Sequence, residues 1–198
     1  MAGHSRWANL QRRQRARARK QPKGPARGAR AELQAVRYEG YGPGGAVVVV
    51  ECLTDDRQRT GESVRRAFEQ HGGHLGAAGS VSYLFNAVGL MAYPPGTDQT
   101  QLMRLAFEAG AEDVVAHADT CVEVLADPLE LAALHASLAD RGFVPASAEV
   151  TQRAATSLEL SGEAAVEMVG LLEALEGIDE VRDVYSNVEI SDAALAHP

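Results

Sequence analysis

Hydrophobic and polar positions fall into a regular series of short elements from residue 46 onward. Residues 46–53 (AVVVVECL) form a continuous apolar, β-branched run, which predicts a strand buried on both faces. Residues 60–71 carry apolar side chains at helical spacing and are followed by two glycines, which predicts a helix that ends there. The further predicted helices are 98–109, 127–140 and 161–175, and the further predicted strands are 80–85, 88–93, 114–117, 121–125, 146–151, 156–160 and 181–186.

The order of these elements predicts the fold class. It reads βαβ, then βαββαβ, then βαβ, and the middle block has the element order of a ferredoxin-like fold. The two outer pieces form a second such unit if they pair across the middle block. We therefore predict an α+β protein with two ferredoxin-like α/β domains, one inserted into the other, preceded by a short basic N-terminal arm. The predicted boundaries are 1–37 for the arm, 38–86 with 154–190 for the interrupted domain, 87–153 for the inserted domain and 191–198 for the tail.

Charge is divided unevenly between the arm and the rest of the chain. Residues 1–37 contain eleven Lys or Arg and one acid, Glu32, which gives a net charge of +10. The remaining residues contain eight bases and 26 acids, which gives a net charge of −18 and a total of −8. A basic arm joined to an acidic body predicts that the arm binds phosphate.

The arm also places an aromatic ring among its basic side chains. Trp7 lies close in sequence to Arg6, Arg12 and Arg13, and a stacking ring beside guanidinium groups suits structured or single-stranded RNA. The alternative is a solvated tail whose Trp7 packs on the body. The candidate nucleic-acid-binding residues of the arm are Arg6, Trp7, Arg12, Arg13, Arg15, Arg17, Arg19 and Lys20.

A second group of bases lies at the predicted helix 60–71. Arg57, Arg59, Arg65 and Arg66 are half of the eight bases outside the arm, and they form a second phosphate-contact patch if they share a face. Of these, we predict that Arg57, Arg59 and Arg65 bind nucleic acid. The acids just before them, in the segment 54–56 (TDD), are interpreted as helix caps, with the arginines solvated or paired as the alternative to phosphate contact.

Other motifs argue against catalysis and metal binding. The glycines of 40–45 (GYGPGG) precede a strand, whereas a phosphate-binding loop follows one, so they predict a tight turn with Tyr41 as a surface contact. His71 and His74 lack convergent metal ligands, and no serine or cysteine has a nucleophile motif. We expect no enzyme activity, no metal, no cofactor and no small-molecule substrate, although a catalytic site assembled from distant residues is the remaining alternative.

The sequence also predicts where the protein acts. No apolar run approaches the ~20 residues that span a bilayer, so we expect no membrane contact and a cytoplasmic protein. Cys52 and Cys121 lie in apolar strand-like runs and are expected to be buried reduced thiols. The Arg-rich N-terminus also fits an organelle transit peptide, an alternative that the proline and glycine residues of 22–25 argue against.

Several segments together resemble the YebC family. The resemblance lies in residues 1–9 (MAGHSRWAN), 38–45 (YEGYGPGG), 51–55 (ECLTD), 72–76 (GGHLG), 109–113 (AGAED) and 183–187 (DVYSN). The family is described as probable transcriptional regulators and includes a mitochondrial translational activator and ribosome-associated members. The resemblance implies a helical N-terminal domain followed by two α/β domains, one interrupted by the other. Here only residues 10–37 separate the first two segments, too few for a three-helix domain with its own core, so the chain resembles a shortened member lacking most of that domain.

The sequence and the resemblance together predict a non-enzymatic, nucleic-acid-binding regulator of gene expression. DNA and RNA, including the ribosome, both stay open as targets because no helix-turn-helix with a recognition helix is visible. The alternative function is a protein–protein adaptor that uses the acidic body, with the basic arm as a disordered tether.

Overall fold

The computed structural model describes residues 33–117 and 119–190. Predictions for the arm residues Arg6, Trp7, Arg12, Arg13, Arg15, Arg17, Arg19 and Lys20, and for the tail 191–198, lie outside the described residues. The described strands are β1 (Gln34–Tyr41), β2 (Val47–Thr54), β3 (His74–Leu75), β4 (Phe85–Tyr93), β5 (Asp113–Ala116), β6 (Val122–Ala126), β7 (Ser147–Ala154), β8 (Leu158–Leu160), β9 (Val181–Ser186) and β10 (Val188–Ile190). The described helices are α1 (Arg57–Gln70), α2 (Gln99–Glu108), α3 (Leu131–Asp140) and α4 (Gly162–Glu176).

The described residues divide into two compact units. Residues 86–153 form one, here called the central unit, and residues 33–85 with 154–190 form the other, here called the discontinuous unit. Each unit contains an antiparallel sheet and two of the four α-helices. The α+β class is therefore confirmed.

The central unit has the ferredoxin-like arrangement. Its elements follow the order βαββαβ, and its sheet has the strand order β5-β6-β4-β7. β6 pairs antiparallel with both β4 and β5. Met91, Tyr93 and Val124 of this sheet pack with Leu102 of α2 and Leu138 of α3 in one buried cluster. Apolar residues alternate along the strands and recur at helical spacing along the two helices. These two patterns together form one apolar core.

The discontinuous unit is joined across the central unit by strand pairing. Its main sheet has the order β3-β1-β2-β9, and β2 pairs antiparallel with β9 from the far side of the insertion. β8 and β10 form a separate parallel pair. The predicted pairing of the two outer pieces is therefore observed in β2 and β9.

Strand β2 is buried on both faces, as its apolar run predicts. Val48 and Val50 belong to the cluster that includes side chains of α1 and α4. Val47 and Val49 belong to a second cluster with Val81 and Phe85. Since neighbouring side chains of a strand point to opposite faces, helices cover one face of this sheet and the segment 76–85 covers the other.

Two parts of the prediction are wrong in this unit. The strand β1 begins at Gln34 inside the predicted arm, so the folded part of the chain starts before residue 38. The predicted strand 80–85 is instead a short 3₁₀ turn, Ser82–Leu84, that leads into β4. The physical reason lies in Glu39, whose carboxylate accepts the backbone N–H groups of Val81 and Ser82 that a strand would use for its ladder.

The local turn and capping signals are largely confirmed. The glycine segment forms the tight turn between β1 and β2, with Gly44 at φ 67° and Gly45 at φ 83°, values that favour glycine. Asp56 caps α1 by accepting the amides of Gln58 and Arg59, both at 3.0 Å. The third helix differs, because it begins at Leu131 and not at residue 127.

No helix within the described ranges is long and apolar enough to cross a membrane. Cys52 and Cys121 are both buried, as their apolar surroundings predict.

Candidate nucleic-acid interface

Helix α1 buries one face on the sheet and leaves its four arginines exposed. Thr60, Val64, Ala67 and Phe68 are its buried positions, whereas all four arginines are exposed. At 3.6 residues per turn, positions 59 and 66 fall on the same side of the helix, and position 65 is rotated by about 100° from position 66. Position 57 lies about 160° from position 59 and about 180° from position 66, so all four arginines are exposed but they do not share one face of the helix.

Arg59 is already engaged by carboxylates of the same unit. One guanidinium nitrogen, Nη2, lies 2.7 Å from Asp55 Oδ1 and 3.3 Å from Glu180 Oε1. The hydrogen bond to Asp55 and the negative charges of both acids raise the pKa of Arg59. Two carboxylates offset its positive charge, so Arg59 is the least suited of the four arginines of α1 to bind a phosphate.

The other bases of α1 are more available. Within the described ranges, the side chains of Arg57, Arg65 and Arg66 make no ion pair. Arg57, Arg65 and Arg66 are therefore exposed bases that no carboxylate of the described residues pairs with.

A tyrosine from β1 fixes the start of this helix. The hydroxyl of Tyr38 donates to the backbone carbonyl of Arg57 at 2.7 Å. Burial raises the pKa of Tyr38, with smaller contributions from Cys52 and Asp56 that Arg57 opposes. The hydroxyl therefore stays protonated and keeps the first turn of α1 on the sheet.

Tyr41 is less exposed than its turn-like sequence suggests. It is half buried, its ring stacks on that of His74 with centroids 5.2 Å apart, and its hydroxyl donates to the carbonyl of Ser80 at 3.4 Å. These contacts give Tyr41 a packing role between β1 and the segment 76–85. The described residues contain no group of three or more His, Cys, Asp or Glu side chains that could hold a metal ion.

Sequence reasoning missed the role of a buried acid beside Tyr41. Glu39 is 5% exposed, and its carboxylate accepts three backbone N–H groups: those of Gly79 and Val81 at 2.8 Å and that of Ser82 at 2.9 Å. Burial alone would raise the pKa of Glu39, but these hydrogen bonds outweigh burial and lower it. The available signal was a single acid in an otherwise apolar and aromatic part of β1.

Comparison with known proteins identifies the family. Residues 33–188 match the family model for the TACO1/YebC second and third domain, and the chain therefore belongs to the TACO1/YebC family. Residues 1–32 lie outside that match.

Curated relatives and a solved structure agree with this assignment. The chain is 44% identical over 161 residues to a "Probable transcriptional regulatory protein" of Francisella tularensis subsp. novicida (strain U112), covering 81% of this chain and 65% of the relative. A protein of the same printed name from F. tularensis subsp. tularensis (strain SCHU S4 / Schu 4) gives the same identity and coverage. The chain thus spans less than two thirds of the length of these relatives. The crystal structure of a conserved hypothetical protein, Aq1575 from Aquifex aeolicus, is similar at a TM-score of 0.73 and 36% identity, covering 94% of this chain and 76% of that one.

Proposed function

We propose that this protein is a non-enzymatic regulator of gene expression that acts in the cytoplasm by binding nucleic acid. The observation that carries the proposal is the concentration of positive charge in residues 1–37 of an otherwise acidic chain. The printed names of the Francisella relatives, probable transcriptional regulatory proteins, support a regulatory role. The regulated step is either transcription or translation at the ribosome.

The arm supplies most of the attraction to phosphate. Arginine and lysine side chains that neutralise phosphates release condensed counterions, so binding through them weakens as salt increases. The acidic body repels a polyanion, and this repulsion restricts contact to the arm and to uncharged or basic parts of the body.

On the body, the proposal assigns phosphate contact to the available bases of α1. Arg57, Arg65 and Arg66 are exposed and make no ion pair within the described ranges. Arg59 contributes less because Asp55 and Glu180 engage it. These contacts position the protein on a backbone without reading sequence.

The experiment compares the full-length protein with a variant whose six bases between residues 12 and 20 are replaced by glutamine. Charge replacement is preferable to deleting residues 1–37, because that deletion removes the first four residues of β1. The control variant is Arg104→Gln, which removes a base of the central unit that pairs with Glu108 at 2.9 Å. We expect the arm variant to lose retention on RNA or DNA at low salt and the control to keep it. Equal retention by the arm variant contradicts the proposal.

A second measurement separates the two targets. Tagged full-length protein is sedimented through a gradient with and without nuclease, and its retention on promoter DNA is measured in parallel. Nuclease-sensitive co-sedimentation with ribosomal particles assigns the protein to translation, and promoter-specific retention assigns it to transcription.

A further inference from the structure

One stretch of the chain carries no formal charge despite the acidic composition. Residues 70–97 contain no Asp, Glu, Lys or Arg, although the chain has 27 acids and 19 bases in 198 residues. Residues 70–85 of this stretch lie in the discontinuous unit, and their segment 76–85 covers the sheet face opposite α1 and α4 through Val81 and Phe85. This face is therefore separate from the arginines of α1.

A single large side chain projects from this neutral segment. Tyr83 is 74% exposed, whereas Val81 and Phe85, two positions to either side, are 0% and 8% exposed. The other exposed positions of 76–84 are Ala77, Ala78 and Gly79, which are small. The tyrosine ring thus projects from a segment whose other exposed side chains are small and uncharged.

Hydrogen bonds to Glu39 fix the backbone around Tyr83. The carboxylate of Glu39 accepts the amides of Gly79, Val81 and Ser82, and its backbone carbonyl accepts the amide of Gly76 at 2.8 Å. The amide of Leu84 donates to the carbonyl of Val81 at 3.0 Å and closes the turn around the tyrosine. A ring presented on a fixed turn loses little further backbone entropy when a ligand binds.

We propose that Tyr83 is a stacking site for an unpaired base of single-stranded nucleic acid. This inference rests on the proposed function and adds a second, non-ionic contact to it. One exposed ring is enough to stack one unpaired base, and the uncharged segment that carries it adds no negative charge that would repel the flanking phosphates. A protein partner would require a patch of several apolar side chains, and the exposed positions of 76–84 offer only Tyr83 and two alanines.

The test uses the full-length protein and two fluorescent probes, a 12-nucleotide single-stranded oligouridine and a blunt duplex, at one low salt concentration. Tyr83→Ala is compared with Tyr83→Phe and Tyr83→Trp, which keep an aromatic ring. The matched control is Phe107→Ala, which removes a 49% exposed ring from the central unit. We expect Tyr83→Ala to weaken single-strand binding at least about fivefold, the low end for a base–aromatic stack, and to leave duplex binding unchanged. The Phe, Trp and Phe107 variants keep wild-type affinity for both probes.

Failure of the inference is distinguishable from failure of the proposed function. If the wild-type protein binds neither probe, the proposed function is wrong, and the stacking site with it. If the wild type binds and Tyr83→Ala binds the single strand equally well, or loses both probes in proportion, the stacking inference is overturned while the proposed function stands. Circular dichroism of each variant confirms that an exposed substitution has left the fold intact.

Discussion

Replacing Glu39 with glutamine should loosen the segment 76–85 without unfolding the protein. The substitution keeps the size of the side chain and one carbonyl oxygen, but it removes the negative charge. In the structure, Oε2 of Glu39 accepts the amides of Val81 and Ser82, and Oε1 accepts that of Gly79. A glutamine that keeps the first two bonds must point its NH₂ group at the amide of Gly79, where two donors face each other.

The size of the effect follows from these three bonds. A hydrogen bond to a charged group contributes about 1.5–3 kcal/mol and a neutral one about 1 kcal/mol, so one bond is lost and two are weakened. We expect the segment to lose about 2–4 kcal/mol of local stability, a total below the simple sum because the three bonds share one carboxylate. The amides of residues 79–82 should then exchange hydrogen about 30- to 1,000-fold faster if the segment opens locally.

Hydrogen–deuterium exchange of peptides covering residues 76–85 measures this change directly. Glu51→Gln is the matched control, because Glu51 lies on the neighbouring strand and forms a half-exposed ion pair with Arg37 at 2.6 Å. Such a pair contributes about 0–1 kcal/mol, so the control should leave exchange in 76–85 close to wild type. Equal exchange in wild type and Glu39→Gln would refute the role assigned to the carboxylate.

The same pair of proteins predicts a pH dependence with a definite sign. The folded-state pKa of Glu39 lies below its ordinary value of 4.5, so the ionised form stabilises the fold. Its contribution is fully present above the unfolded pKa and is lost as the pH falls through the folded pKa. The difference in exchange protection between wild type and Glu39→Gln should therefore be constant near neutral pH and should narrow below pH 4.5.

Three further predictions concern other positions. Arg65→Gln should weaken binding to a nucleic-acid probe by fluorescence anisotropy more than Arg59→Gln, because two carboxylates already engage Arg59; equal losses would contradict this assignment. Gly40→Ala should destabilise the fold by about 1–3 kcal/mol in urea unfolding, because its Cβ would lie 2.8 Å from the Phe68 ring; an unchanged midpoint would contradict the close packing. Burial raises the pKa of Tyr93 to about 12, so the urea midpoint should fall as the pH rises beyond 10.0, because the unfolded chain then binds fewer protons than the folded one; a midpoint that stays constant there would contradict the burial.

The elements that sequence predicted well are those whose signals are local. The apolar run 46–53 identified β2, and the βαββαβ order identified the ferredoxin-like central unit. The first turn of α1 was marked by acids at 55 and 56, and Asp56 provides its cap. In each case, residues close in sequence determine the structure.

The features that sequence did not predict depend on distant partners. Strand β1 mixes polar and apolar residues, and its burial depends on pairing with β2. It also depends on hydrogen bonds between the Glu39 carboxylate and amides about 40 residues further along the chain. The engagement of Arg59 depends on Glu180, 121 residues away. No single-sequence pattern records such contacts, and the prediction of a strand at 80–85 failed for the same reason.

The central claim is that positive charge in the arm binds nucleic-acid phosphates, and the salt dependence of binding tests it most directly. Affinity of the full-length protein for a single-stranded probe is measured across a series of salt concentrations, for wild type and for the variant with six neutralised bases at 12–20. Each lost phosphate contact on a single strand should reduce the slope of log K against log salt by about 0.7, so we expect a slope reduced by up to about 4 and a much lower affinity at low salt. An unchanged slope and affinity in that variant would contradict the account.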